Sequence, residues 1–246
     1  MSSFSDSLAT ALQLVVSLDA GLLAIVGRSL AVSATACALA CGLGLLLGAW
    51  LGVARFALRP VLLTVLNTLL AVPSVVVGLV VYLLLSRSGP LGFLGWLFSF
   101  QAMVLAQTLL VLPVVTALTR QVVEDADHQH GEQLQSLGAG ALLRAALLAW
   151  DERYAMLMVV VASFGRAISE VGAVMVVGGN VEGFTRVMTT AIALETSKGD
   201  LPLALGLGLV LLLVVLLLNS GLAGLRHWRS RVDGKAYAMT VPGLGT

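Results

Sequence analysis

Charge is confined to short stretches of this chain, and long apolar runs separate them. Ser29 to Ala54 carries no Asp, Glu, Lys or Arg and lies between Arg28 and Arg55. Pro60 to Ser86 repeats the pattern between Arg59 and Arg87. Ser88 to Thr119 is a third such run, interrupted early by Gly89, Pro90, Gly92 and Gly95. Those breakers predict a short loop and then a helix from about Phe100 to Thr119. Tyr154 to Asn180 is apolar except for Arg166 and Glu170, and Leu201 to Leu225 is charge-free. Crossing a bilayer takes roughly 20 apolar residues in a helix. The pattern therefore predicts an all-α polytopic membrane bundle with five transmembrane helices. Residues 1–28, punctuated by Asp6 and Asp19, predict an N-terminal amphipathic helix in the interface. Without an early Lys or Arg, this segment does not read as a cleaved signal peptide.

Two features bear on how the spans pack. Ala40, Gly44, Gly48 and Gly52 recur every fourth residue and form a small-residue stripe. Such a stripe serves close packing within a bundle or dimerisation, and the first weighs more. Pro73 and Pro113 fall inside the second and third spans. Each removes a backbone hydrogen bond and predicts a kink. Broken helices in membranes often line a cavity, which makes both prolines candidate pathway residues.

The distribution of Lys and Arg sets the orientation. With the N-terminus outside, the inner side holds Arg55, Arg59, Arg120, Arg144, Arg153, Arg226, Arg229, Arg231 and Lys235. The outer side holds only Arg28, Arg87, Arg186 and Lys198. This bias predicts a C-terminus inside, with residues 226–246 as a cytoplasmic tail and Trp228 as an interfacial anchor.

Composition sharpens the class. Of the 246 residues, 59% are hydrophobic and 11% charged. A soluble domain carries about a quarter charged residues, so a soluble enzyme is excluded. A net charge of +1 provides no field for a polyanion, so no nucleic-acid partner is expected. Cys37 and Cys41, one helical turn apart, read as small packing residues. No G-x-x-x-x-G-K-[ST] occurs, so the chain holds no ATPase site of its own. His128, His130 and His227 all lie outside the spans, and no metal or cofactor site is expected.

Two segments carry candidate chemistry. The inner stretch Gln121 to Arg153 is the longest connection. Glu132 to Leu137 is helix-permissive, and Gly138 is placed for a left-handed C-cap. Ala141 to Trp150 predicts a second short helix. Leu142, Leu143, Ala146 and Leu147 share its apolar face, with Arg144 off it. Two helices around a glycine corner predict a docking surface.

The other segment runs from Phe164 to Asp200. Arg166 and Glu170 are four residues apart and so share a helix face. A charge at mid-bilayer costs about 2.5–3.5 kcal/mol. The pair reads equally as a structural ion pair or as a gate element. Counting from Tyr154 places it nearer the inner half of its span. Gly172, Gly179 and Asn180 permit close packing or unwinding toward the outer face. Arg186 to Thr196 predicts a short outer helix, ended by Gly199, with Thr189 and Thr190 packed at the bundle mouth. Arg186 and Lys198 supply positive charge there.

Resemblance now adds to this reading. Glu132-Gln133-Leu134, three residues, then Gly138 resembles the signature loop of ABC-importer permeases. That signature is Glu-Ala-Ala, three residues, Gly. Gln133 and Leu134 replace the alanines, and the later Leu-Pro is lost at Leu148-Ala149-Trp150-Asp151. Arg166-Ala167-Ile168-Ser169-Glu170-Val171-Gly172-Ala173 is similar to the oxyanion permeases for molybdate, sulfate and tungstate, most of all the tungstate type. So are Pro73 to Leu79, Gln107 to Pro113, and Thr185 to Gly199. The resemblance covers nearly all of residues 29–225. It implies the type I permease fold, a second permease copy and two cytoplasmic ATP-binding subunits that hold ATP and Mg. It also implies an extracytoplasmic oxyanion-binding protein and a bacterial inner-membrane location. Residues 121–153 then form the coupling loop, with Glu132, Gln133, Leu134 and Gly138 at the ATPase contact. The rivals are a molybdate or sulfate permease and a gradient-driven carrier. The carrier wants several membrane carboxylates, and the spans contain only Glu170.

Overall fold

The computed structural model describes residues 9, 12–13, 16–17 and 20–240, with the backbone alone at 222 and 225–240. The regular elements among the described residues are helices. They are α1 (Ala20–Val53), α2 (Arg59–Ala71), α3 (Ser74–Leu85), α4 (Phe100–Ser136), α5 (Ala141–Asp151), α6 (Arg153–Ile168), α7 (Gly172–Gly178), α8 (Met188–Lys198) and α9 (Leu201–Thr240). A single 3₁₀ turn, Gly92–Leu94, lies in the glycine-rich loop expected before α4.

Three of these helices are long and apolar enough to cross a membrane: α1, α4 and the Leu201–Gly221 part of α9. Two bent pairs supply the rest. The α2–α3 axis turns by 98° and the α6–α7 axis by 57°. Counting each pair as one crossing gives five. The first bend has the expected cause. Pro73 cannot continue α2, and Val72 before it is extended at φ −64°, ψ 128°. Pro113 interrupts no element, because α4 continues through it as one helix.

The first helix starts earlier than its charge-free run. α1 is continuous from Ala20, so residues 20–28 belong to it and not to a separate segment. Arg28 is accommodated because its guanidinium donates to the carbonyls of Gly183 (2.6 Å) and Arg186 (3.1 Å). Of the amphipathic helix expected over residues 1–28, the part before Ala20 falls largely outside the described residues. At the other end, the expected tail continues α9 as helix to Thr240, and the Trp228 side chain lies outside the described residues.

α1 and α4 form the most extensive helix pair. The small-residue stripe makes this approach close. A Cβ on Gly48 would lie 2.6 Å from the Thr116 carbonyl oxygen, and one on Gly52 would lie 3.0 Å from that of Arg120. The stripe therefore serves packing inside one chain. Gly48→Ala forces two backbones apart, and overpacking of this kind costs about 1–3 kcal/mol. The variant is expected to melt at a clearly lower temperature in detergent than the unaltered chain. Gly42→Ala, facing open space, is the control that should not shift.

Candidate functional site

The two helix breaks lie side by side. A Cβ on Gly172 would sit 2.8 Å from Ser74 Oγ, and one on Gly78 would sit 2.8 Å from Ala173 Cα. Thus α3 and α7, each beginning at a break, cross at van der Waals contact. The second break, Ser169 to Val171, has no proline and holds Glu170. Freed backbone groups in a membrane need partners, and here each one comes from a different element. Gln107 of α4 donates to the Ala167 carbonyl at 3.0 Å. Thr189 Oγ1 of α8 donates to the Glu170 carbonyl at 2.7 Å. The Ala173 amide donates to Glu170 Oε1 at 3.2 Å. Glu170 is thereby the cap of α7 as well as half of an ion pair.

The pair with Arg166 is present, at 3.3 Å, but unequal. The Glu170 side chain is 5% exposed and that of Arg166 53%. α6 has 16 residues, so Glu170 lies roughly 24 Å along the axis from Arg153.

Toward the end expected to face outside, α7 closes on Gly179 at φ 67°, followed by Asn180 at φ 51°. Asn180 Nδ2 donates to the Thr190 carbonyl at 3.2 Å. Thr190 Oγ1 accepts from the Val187 amide at 3.2 Å and so closes the start of α8. Thr189 and Thr190 are both buried and bind the fold together. Arg186 and Lys198, expected as positive charge at the mouth, are both ion-paired, and Arg186 Nη1 lies 3.6 Å from Glu182. Lys198 Nζ lies 3.1 Å and Arg186 Nη1 3.8 Å from buried Glu195. Glu195 was not singled out from the sequence, although its i,i+3 spacing to Lys198 on one helix is the signal that finds it.

Toward the other end, Gly138 takes the left-handed conformation expected of it, at φ 82°. Its amide donates to the Gln135 carbonyl at 2.9 Å and the Ala139 amide to that of Leu134 at 3.0 Å. Those two bonds form a complete Schellman cap. Glu132 to Ser136 is the last turn of α4, not a separate helix. Glu132 and Gln133 are exposed, while Leu134 packs on the core. In α5, Leu142, Leu143, Ala146 and Leu147 share one face and Arg144 lies off it, as the spacing predicts. Arg144 points inward and pairs with Asp127 of α4 at 3.3 Å, both 9% exposed. Leu142, Leu143 and Leu147 face out, exposed by 74%, 55% and 44%. This corner lies roughly 40 Å along α4 from Gln107, so it and the helix breaks are separate places.

A tungstate uptake system permease protein of Peptoclostridium acidaminophilum is 42% identical over 227 residues, covering 92% of this chain and 100% of that protein. One from Campylobacter jejuni is 40% identical over 147 residues, covering 60% and 62%. A probable anion ABC transporter permease protein of Haloferax volcanii is 41% identical over 168 residues, covering 66% and 71%. The chain belongs to the oxyanion ABC-importer permease family. No protein-family model matches it.

The permease holds one further charged cluster, which sequence reading did not single out. Glu124 of α4 meets Arg59 at 2.6 Å, Arg55 at 3.6 Å and Arg120 within its own helix. Partial burial raises the Glu124 carboxyl, but the Arg59 hydrogen bond and the three charges outweigh it and hold it below its usual value. A depressed carboxylate stabilises the fold above its unfolded pKa, and that contribution fades as pH falls through the folded one. The melting temperature of the permease is therefore expected to drop as pH falls from about 4.5. Glu124→Gln should flatten that part of the curve. Among the described residues, no group of three His, Cys, Asp or Glu is placed to hold a metal.

Proposed function

We propose that this permease carries tungstate inward across the bacterial cell membrane as the membrane subunit of an ATP-driven importer. The observation that carries the reading is the match along the full length of the Peptoclostridium tungstate permease. In this reading two copies of the chain pair, with N-termini outside and C-termini in the cytoplasm. Two cytoplasmic subunits hold ATP and Mg, and an extracytoplasmic binding protein delivers the oxyanion.

The geometry supports a route for the force. The exposed apolar face of α5 is the surface offered to the ATPase subunit, and the Arg144–Asp127 pair holds that helix rigidly on α4. α5 leads directly into α6, and α6 ends at the Glu170 break. Movement of α5 is thus delivered to the crossing of α7 on α3. Pro73, Glu170 and Gly172 form the gate there, and Asn180 with Thr190 fixes its outer end. Anions pass between the two copies when the crossing shifts.

Proteoliposomes holding the permease, an ATPase subunit and an oxyanion-binding protein test the assignment. Tungstate should accumulate only with ATP inside. Accumulation driven by an ion gradient with the ATPase left out would replace the importer by the secondary carrier.

A further inference from the structure

The bend at Pro73 leaves a cavity of about 520 Å³ between α1, α2, α3 and α4. Its walls are almost wholly aliphatic, with Leu51, Leu62, Leu69, Val76 and Leu112 among them. α2 covers it thinly: Leu66 is the one buried residue of that helix. An oxyanion has no partner in such a space, and burying it there without one is prohibitive. A hydrocarbon chain fits it.

The three arginines around Glu124 stand at one mouth of this cavity. Arg120 is one turn beyond Thr116, a wall residue on α4, and Arg59 is one turn before Leu62 on α2. Arg55 follows Leu51 by four residues, and Arg59 Nε donates to the Leu51 carbonyl at 3.4 Å. One carboxylate answers three guanidiniums, so the mouth keeps a net charge of +2, and Arg55 is half exposed. Basic pockets between transmembrane helices on the cytoplasmic side bind anionic lipid headgroups.

We infer that the cavity is a site for one anionic phospholipid of the inner leaflet. One acyl chain lies between α2 and α4, and the phosphate rests on Arg55, Arg59 and Arg120. The lipid props the thinly packed bent pair on the α1–α4 core. The inference takes its orientation from the proposed function. Lipid binding is measured without transport, so either one can fail alone.

The test is native mass spectrometry of the full-length permease titrated with dioleoyl phosphatidylglycerol or dioleoyl phosphatidylcholine. The anionic lipid is expected to bind more tightly, and each removed arginine to lower that preference about fivefold. Arg55→Gln and Arg120→Gln should do so while leaving phosphatidylcholine binding unchanged. Leu69→Trp, which fills the cavity, should weaken both lipids. Arg55→Gln leaves the Arg59 and Arg120 contacts to Glu124 in place, so it reports even if Arg120→Gln fails to fold. Equal affinity for the two lipids in the unaltered chain overturns the inference. So does a preference that survives both arginine changes. Displacement of the lipid by millimolar inorganic phosphate or tungstate would make the cluster a free-oxyanion site instead. A disulfide linking Val65→Cys between two copies, with no lipid retained, would assign the cavity to a second chain.

Discussion

Leu143→Asp with Leu147→Asp on α5 is expected to abolish association with the ATPase subunit. Both side chains are exposed on a face that the other described residues leave open, while Arg144, Ala145 and Leu148 hold the opposite face on the bundle. The double change therefore leaves the permease fold intact. Central apolar contacts at an interface contribute about 2 kcal/mol or more each when lost, roughly thirtyfold in affinity apiece. Placing carboxylates there adds a desolvation cost. The permease should reach the membrane at its normal level, the ATPase subunit should no longer co-purify, and uptake should fall to background. Co-purification at the unaltered ratio would remove α5 from the coupling role.

Arg166→Ala is the second change with a large expected effect. It leaves the Glu170 carboxylate 5% exposed with only the Ala173 amide to answer it. Removing one partner of a buried pair typically costs about 3–5 kcal/mol. The half exposure of Arg166 reduces that figure. A roughly tenfold loss of uptake, about 1.4 kcal/mol, is the expected size. Adding Glu170→Gln should restore most of it. The amide oxygen of glutamine still accepts from Ala173 and so keeps the α7 cap, while the orphaned charge is gone. A double variant as impaired as Arg166→Ala, or more so, would show that the charge at Glu170 itself is needed for the gate.

The sequence was most legible where one local feature dictates the backbone. Gly138 is an example, because a left-handed cap favours glycine and the helix before it was visible in the same few residues. Pro73 is another, since it removes a backbone hydrogen bond and Val72 before it is extended at the end of α2. Reading failed where the deciding partner is distant in the chain. The partner of Arg144 was hidden, because nothing nearby in the chain shows Asp127 waiting on α4. The Arg59–Glu124 contact likewise joins residues 65 apart. The break at Glu170 carries no proline. It persists because Gln107, Thr189 and the Glu170 carboxylate each replace a lost helical bond, and only tertiary structure brings those three together. Pro113, by contrast, lies within one continuous helix, so a proline alone does not tell which span is broken.

The membrane class, the run of apolar spans and the oxyanion resemblance came from the chain alone, and the relatives support the tungstate reading. Selectivity among near-isosteric oxyanions is then the central claim. It is tested most directly by uptake of tungstate, molybdate and sulfate in otherwise identical cells with and without this chain. Tungstate uptake is expected to depend on the chain, with molybdate and sulfate little changed. Equal tungstate uptake in both strains, or a loss confined to molybdate or sulfate, would contradict it.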